Sequence, residues 1–192
     1  MWRYLPNALS LLRAISALPI AWLIVQQEWL AAFCLGLLSG STDLLDGWLA
    51  KRYGWQSPIG AALDGLADKF LLLALFFALV LIERLPLWWL LLLVARDSVI
   101  VLGSLAYHRL IEPLQPQPSL LGKAATFSQL VLALSLVGSG LGGSPLPQAL
   151  SLSLMWLAAA LTVASGLHYL VVWGRRAVGH LSARTGRVPH EH

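Results

Sequence analysis

Six long apolar runs dominate this chain of 192 residues. They extend approximately from Leu9 to Val25, Trp29 to Ala50, Ile59 to Ile82, Leu87 to Tyr107, Leu120 to Leu141 and Leu146 to Trp173. Each is close to the roughly 20 residues that an α-helix needs to cross a hydrocarbon core. Strands are excluded by the length and Leu/Ala richness of the runs, and because open sheet edges leave backbone groups unsatisfied in lipid. The breaks carry charge or turn chemistry: Gln26-Gln27-Glu28, Tyr53 to Pro58, Glu83-Arg84-Leu85-Pro86, Pro113 to Pro118 and Gly142 to Pro145. The expectation is an all-α, polytopic membrane protein with about six transmembrane helices. Composition agrees: 58% of residues are hydrophobic and 11% charged, against about 25% charged in soluble domains.

Residues 1–192 read as one membrane domain, with 175–192 a short polar cytoplasmic tail. Arg13 interrupts the first run and no clean small-x-small cleavage site follows it, so that run reads as a retained helix rather than a signal peptide. The lone Cys34 excludes an internal disulfide and reads as a small packing residue. Arg3, Lys51, Arg52, Arg109, Arg175, Arg176, Arg184 and Arg187 fall at one set of span ends, while the opposite loops carry only Arg84. The positive-inside rule then places both termini in the cytoplasm. The net charge of +4 is a property of that face, suited to anionic headgroups. No basic run with an aromatic platform lies outside the membrane, so nucleic acid is not an expected partner.

Ionisable residues within the runs hold the functional information, because a charge at the bilayer centre costs a few kcal/mol even on lenient scales. Asp43 and Asp46 lie toward the cytoplasmic end of the second run, and Asp64 and Asp68 near the cytoplasmic start of the third. Their spacings, i,i+3 and i,i+4, put each pair on one helical face. A short connection makes the two helices antiparallel neighbours, which brings all four carboxylates to similar depth. Four carboxylates in a low-dielectric site stay ionised only with cations among them. Oxygen-only ligands select hard cations such as Mg²⁺, Mn²⁺ or Ca²⁺, and two such metals can clamp a phosphoryl or pyrophosphoryl group. The competing structural reading pairs the aspartates with nearby bases such as Lys69 or Arg52. Gly47 and Gly60 beside the aspartates open the helix backbone to a ligand, or alternatively serve as small-residue helix contacts.

The run Asp43-Leu44-Leu45-Asp46-Gly47-Trp48-Leu49-Ala50-Lys51, followed after eight residues by Gly60-Ala61-Ala62-Leu63-Asp64-Gly65-Leu66-Ala67-Asp68, resembles the signature of the CDP-alcohol phosphotransferases. That signature is D-x-x-D-G-x-x-A-R, eight residues, then G-x-x-x-D-x-x-x-D. Every spacing agrees and one residue departs, Lys51 standing where the family has arginine. Lysine keeps the charge and loses the planar fork. Pro6-Asn7-Ala8-Leu9-Ser10-Leu11-Leu12-Arg13 with Pro19, Arg96-Asp97, and Gly122 to Thr126 with Gln129 also resemble the phosphatidylglycerophosphate and cardiolipin synthase branches. The resemblance covers about residues 5 to 175.

The resemblance implies an enzyme that binds CDP-diacylglycerol and uses an acceptor hydroxyl to displace CMP. It implies two divalent cations, Mg²⁺ or Mn²⁺, held by Asp43, Asp46, Asp64 and Asp68, with Asp64 and Asp68 in catalytic positions and Asp68 the candidate base. Gly47, Ala50, Lys51, Ser57 and Gly60 would surround the nucleotide. It also implies a homodimer, and the expected location is a bacterial inner membrane with the site facing the cytoplasm. Arg96 and Lys123 are candidates for an acceptor-phosphate pocket; the plainer alternative pairs Arg96 with Asp97 or the aspartate cluster and lets Lys123 snorkel. Arg96-Asp97, the Thr42 to Gly47 run, the Pro118 to Lys123 run and the uncharged Ala125 look more like the cardiolipin branch, which favours phosphatidylglycerol over glycerol 3-phosphate as acceptor.

An ion-coupled transporter is the alternative of a different class, but such sites usually come with repeats or broken helices at the midplane, and neither is evident. The two-aspartate pattern of intramembrane proteases differs locally from this one, and no histidine begins the H-x-K-x-x-x-x-D run of phospholipase-D-type enzymes. The histidines read as interfacial or tail residues. Trp29, Trp88, Trp89 and Trp173 fall near span ends and read as an aromatic belt; Trp48 and Trp55 flank the nucleotide region.

Overall fold

The protein is described from a computed structural model that covers residues 5–53, 58–110, 119–142 and 147–185. Six helices occupy nearly all of this, and no strand occurs among the described residues: α1 (Leu5–Val25), α2 (Trp29–Tyr53), α3 (Pro58–Leu81), α4 (Leu87–Leu110), α5 (Leu120–Gly138) and α6 (Gln148–Thr185). The all-α expectation holds. Four helices contain stretches long and apolar enough to cross a membrane: Ala8–Val25, Leu87–Leu105, Leu120–Gly138 and Gln148–Arg175. The apolar part of α2 is shorter, Trp29–Thr42, because the aspartates begin at its end. In α3 the three charges of Asp64, Asp68 and Lys69 interrupt an otherwise apolar helix of 24 residues. α6 continues as helix beyond Arg175 to Thr185.

The turns explain where helices stop. Gln27 and Glu83 take left-handed backbone, with φ of 61° and 59°. In the first turn Glu28 N donates to Leu23 O (2.9 Å) and Gln27 N to Ile24 O (3.0 Å). In the second, Arg84 N donates to Leu79 O (2.9 Å) and Glu83 N to Val80 O (3.0 Å). Both are Schellman caps, which satisfy the last carbonyls of α1 and α3. Pro58 opens α3 where a missing N–H costs nothing. Ser119 caps α5, its Oγ accepting from Gly122 N at 3.0 Å.

The chain divides into two compact units. The first comprises residues 1–90 and 130–153, the second 91–129 and 154–192. In the first unit, α1 packs against both α2 and α3. Ala17, Ala32, Ala67 and Ala78 are buried there beside Ile20, Ile24, Phe76 and Leu79. Small side chains let membrane helices approach closely, which replaces the missing hydrophobic drive with packing. An open apolar groove of about 580 Å³ lies along the later turns of α1 and α3, lined by residues that include Leu18, Trp22, Phe77 and Leu81.

Several aromatic positions depart from the belt expected of them. Trp89 is fully buried and stacks on Phe76 with ring centroids 4.6 Å apart. Trp29 lies under the Arg84 guanidinium, 4.7 Å from ring centroid to Cζ. In the second unit, Trp173 is buried against Tyr169 and occupies the space that a Cβ on Gly103 would need. Only Trp88 of these four is exposed in the way a belt residue is. Proximity to a span end cannot tell a headgroup-facing ring from one turned toward a neighbouring helix. Cys34 also departs from expectation: it is exposed on α2 rather than packed.

Candidate active site

The site is built on the helix pair α1 and α3. On α3, Asp64 and Asp68 are one turn apart and share a face. α1 presents Ser10 and Arg13 to that face. Ser10 Oγ donates to Asp64 Oδ1 at 3.1 Å, and Arg13 Nη1 donates to the same oxygen at 3.0 Å. The same Nη1 also donates to Asp68 Oδ1. One guanidinium nitrogen therefore gathers one oxygen from each carboxylate. The Arg13 side chain is 1% exposed, whereas those of Asp64 and Asp68 are 40% and 43% exposed. The arginine thus lies on the closed side of the pair, and the carboxylates face accessible space.

The pairing answers the structural alternative raised by the sequence in a form it had not anticipated. A base does meet two of the aspartates, and it comes from α1. The signal was present: an arginine in an apolar transmembrane run needs a buried partner. Locating that partner required the packing of α1 on α3, since Arg13 is 51 residues from Asp64.

α2 joins this assembly through a side-chain hydrogen bond between Ser16 Oγ and Ser39 Oγ, 3.1 Å apart. Because α2 runs antiparallel to α1, the four residues from Ser39 to Asp43 carry its backbone about 6 Å back toward the level of Arg13. The backbone of α2 at Asp43 and Asp46 is thereby placed at similar depth to Asp64 and Asp68. The side chains of Asp43, Asp46, Gly47, Ala50 and Lys51 lie outside the described residues, as does Ser57 altogether. Gly60 is partly buried on α3, one turn before Asp64. Among the described residues no group of three or more metal-ligating side chains is assembled. The donors that are described suit a hard cation, since both are carboxylates and each directs one oxygen toward a common cationic group.

In the second unit, Arg96 Nη1 donates to Asp97 Oδ1 at 2.6 Å and Nη2 to Ser165 Oγ at 3.1 Å. Gly166 lies against the Arg96 Cγ, 3.6 Å from where a Cβ would stand. The Arg96 side chain is 10% exposed, and its Nε has no hydrogen-bond partner among the described residues. The simpler reading of Arg96, a pair with Asp97, is therefore what the structure contains, with Nε left over. Lys123 is exposed on the first turn of α5. That turn is held by Tyr169, whose Oη accepts from Ser119 N at 3.2 Å. Gln129, noted in the sequence without a role, is buried and donates to Thr162 Oγ1 at 2.9 Å.

Helices of membrane-spanning length with a carboxylate pair braced from within define an integral membrane protein with a polar site set into its helices. Sequence comparison matches residues 3–164 to the CDP-alcohol phosphatidyltransferase family. The chain is 36% identical over 149 residues to a CMP-forming cardiolipin synthase of Streptomyces coelicolor, covering 72% of this chain and 67% of that one. It is 33% identical over 183 residues to the chloroplastic CDP-diacylglycerol–glycerol-3-phosphate 3-phosphatidyltransferase 1 of Oryza sativa, covering 86% of this chain and 55% of that one. A cardiolipin synthase of Homo sapiens is 28% identical, with coverage of 91% and 62%. The chain thus spans little more than half to two thirds of these relatives. The fold matches the Mycobacterium tuberculosis phosphatidylinositol phosphate synthase crystallised with CDP-DAG, with a TM-score of 0.63, 20% identity and coverage of 88% and 85%. The protein belongs to the CDP-alcohol phosphatidyltransferase family.

Proposed function

We propose that the protein transfers the phosphatidyl group of CDP-diacylglycerol to a hydroxyl of phosphatidylglycerol, forming cardiolipin and releasing CMP. The observation that carries this reading is the pair Asp64 and Asp68 on one face of α3, about two-fifths exposed, within the spacing of the family signature. Both relatives named for CMP-forming cardiolipin synthesis and relatives named for transfer to glycerol 3-phosphate support the reaction class.

Asp43, Asp46, Asp64 and Asp68 would hold two divalent cations, Mg²⁺ or Mn²⁺. These would neutralise pyrophosphate charge and make the acceptor hydroxyl more acidic. Gly47, Ala50, Lys51, Ser57 and Gly60 would surround the cytidine nucleotide. Asp68 takes the hydroxyl proton. The acceptor oxygen bonds to the phosphorus that carries diacylglycerol, the bridging P–O bond breaks, and its electron pair leaves with CMP. The site faces the cytoplasm of a bacterial inner membrane, and the enzyme works as a homodimer.

Two observations favour phosphatidylglycerol. Arg96 already spends part of its charge on Asp97, so Arg96 and Lys123 suit a phosphodiester monoanion better than a dianion; the spare Nε of Arg96 offers that monoanion a donor. Ala125, where the glycerol-phosphate branch usually carries a second basic residue, is fully buried. Purified protein given CDP-diacylglycerol and a panel of acceptors tests this, with products identified by mass spectrometry. The expected result is CMP and cardiolipin, formed only with Mg²⁺ or Mn²⁺. Transfer to glycerol 3-phosphate with none to phosphatidylglycerol would reassign the acceptor, and CMP release that survives complete chelation would remove the metals.

A further inference from the structure

We infer that Tyr169 and Ser165, one turn apart on α6, are positioning residues for the acceptor phosphate: they hold the start of α5, which carries Lys123, and the guanidinium of Arg96 at one depth in the second unit. This rests on the reading of Arg96 and Lys123 as the acceptor pocket proposed above.

α6 carries Thr162, Ser165 and Tyr169 on one face, at positions i, i+3 and i+7. Each meets a different partner. Thr162 Oγ1 accepts from Gln129 Nε2 at 2.9 Å, near the middle of α5. Ser165 Oγ accepts from Arg96 Nη2 of α4 at 3.1 Å. Tyr169 Oη accepts from Ser119 N at 3.2 Å, where α5 begins. Thr162, Ser165 and Gln129 are buried. Polar groups buried among apolar helices keep their hydrogen bonds, because the alternative is an unsatisfied group. α5 is therefore pinned to α6 at two levels and in antiparallel sense: Ser119 to Gln129 leads forward along α5, while Tyr169 to Thr162 leads back along α6.

Lys123 lies between the pins. Its N donates to Ser119 O at 3.0 Å, which sets it about one turn, roughly 6 Å, along α5 from the Tyr169 contact. Four residues back along α6 from Tyr169 cover the same rise and end at Ser165. The backbone of Lys123 therefore comes to the level of the serine that holds Arg96. Two cations on two helices are brought to one depth by a third helix that carries neither. The Tyr169 ring is braced by Trp173, with centroids 5.5 Å apart, and Trp173 fills the space beside Gly103 of α4. Gly122 admits the phenol: a Cβ there would stand 3.3 Å from Tyr169 Oη and 3.2 Å from Ser119 Oγ. An anion bound by two cations gains most when their spacing is set before it arrives, since ordering them on binding costs affinity. The effect belongs to acceptor binding and not to the chemistry at the aspartates.

The test is steady-state CMP release by full-length protein in mixed micelles. The varied acceptor is phosphatidylglycerol, or glycerol 3-phosphate should wild type use that instead. The variants are Tyr169→Phe, Ser165→Ala, Lys123→Gln and the double variant Tyr169→Phe/Lys123→Gln, each checked for monodispersity and thermal unfolding. Tyr169→Phe keeps the ring packing and removes only the oxygen that Ser119 N needs. It and Ser165→Ala are each expected to raise the acceptor KM by about 3–10-fold, with kcat and the KM for CDP-diacylglycerol unchanged. Lys123→Gln should raise the acceptor KM by about 10-fold or more. The double variant should match Lys123→Gln alone, because Tyr169 acts through Lys123. A wild-type acceptor KM in either Tyr169→Phe or Ser165→Ala, beside an impaired Lys123→Gln, would overturn the inference. So would a fall in kcat at unchanged KM, the mark of general loosening, or additive effects in the double variant. Should Tyr169→Phe fail to fold, Ser165→Ala decides by the same split. A wild-type acceptor KM in Lys123→Gln would instead remove the pocket reading itself, an outcome distinct from the others.

Discussion

Of the four aspartates, Asp64 and Asp68 are the two whose side chains are described. Asp64 and Asp68 are held by α1 and remain about two-fifths exposed, a compromise between anchoring and access. Full burial would impose the desolvation cost of a charge in hydrocarbon; full exposure would let the carboxylates rotate freely. If Asp68 accepts the proton of the acceptor hydroxyl, Asp68→Ala loses the base while Asp64 still holds Arg13. CMP release should then fall at least about 100-fold, near 3 kcal/mol in barrier height, in protein that remains monodisperse. Turnover close to wild type in that variant would move the base elsewhere. The signature spacing made the acids legible as a set. Arg13 was legible only as an anomaly, because a motif records spacing along one chain segment and says nothing of which helix lies across from it.

Helices meet the turns that join them through contacts that no periodicity predicts. Arg84 stacks over Trp29 and donates to Ser139 Oγ at 3.0 Å, tying the α3–α4 turn to the start of α2 and the end of α5. Gly140 follows directly, and a Cβ there would overlap the Trp29 ring. Tight backbone approach to a ring that is itself held by a cation leaves little room for relaxation. Gly140→Ala should therefore destabilise the protein by about 1–3 kcal/mol, lowering the unfolding temperature in detergent by several degrees without changing Mn²⁺ affinity. An unchanged melting temperature would mean that Trp29 can swing aside and that the stack contributes little. Helix limits were readable in advance at Gln26 to Glu28 and at Glu83 to Pro86, where charge and turn residues break the apolar runs. The left-handed caps at Gln27 and Glu83 were not, since neither is the glycine that usually marks one.

For the molecule as a whole, the distribution of Lys and Arg predicts both termini on the cytoplasmic side. Reporter fusions at Met1 and His192 test it: both should give signal with a cytoplasmic reporter and none with a reporter active only outside that compartment. Opposite signals at the two ends would imply an odd number of spans. This matters for α2 and α3, the two helices whose aspartates shorten or interrupt their apolar stretch. In α3, Ser10 and Arg13 face the carboxylates of Asp64 and Asp68, which offsets the cost of placing charge in an apolar helix.

Local chemistry along the chain was enough to establish an all-helical membrane protein, the approximate limits of its helices and the reaction class suggested by the aspartate spacing. The helices and their limits follow from apolar run length and helical periodicity, which neighbouring residues set among themselves; the reaction class came from the resemblance of the aspartate spacing to a family signature. Which side of the Asp64–Asp68 pair is closed, that Trp89 and Trp173 are core rather than belt, and that Arg96 is already paired with Asp97 and Ser165 were decided by tertiary structure. Each depends on which helix face meets which, and in a membrane that is settled by packing and buried hydrogen bonds, because apolar side chains are nearly as well solvated by lipid as by one another.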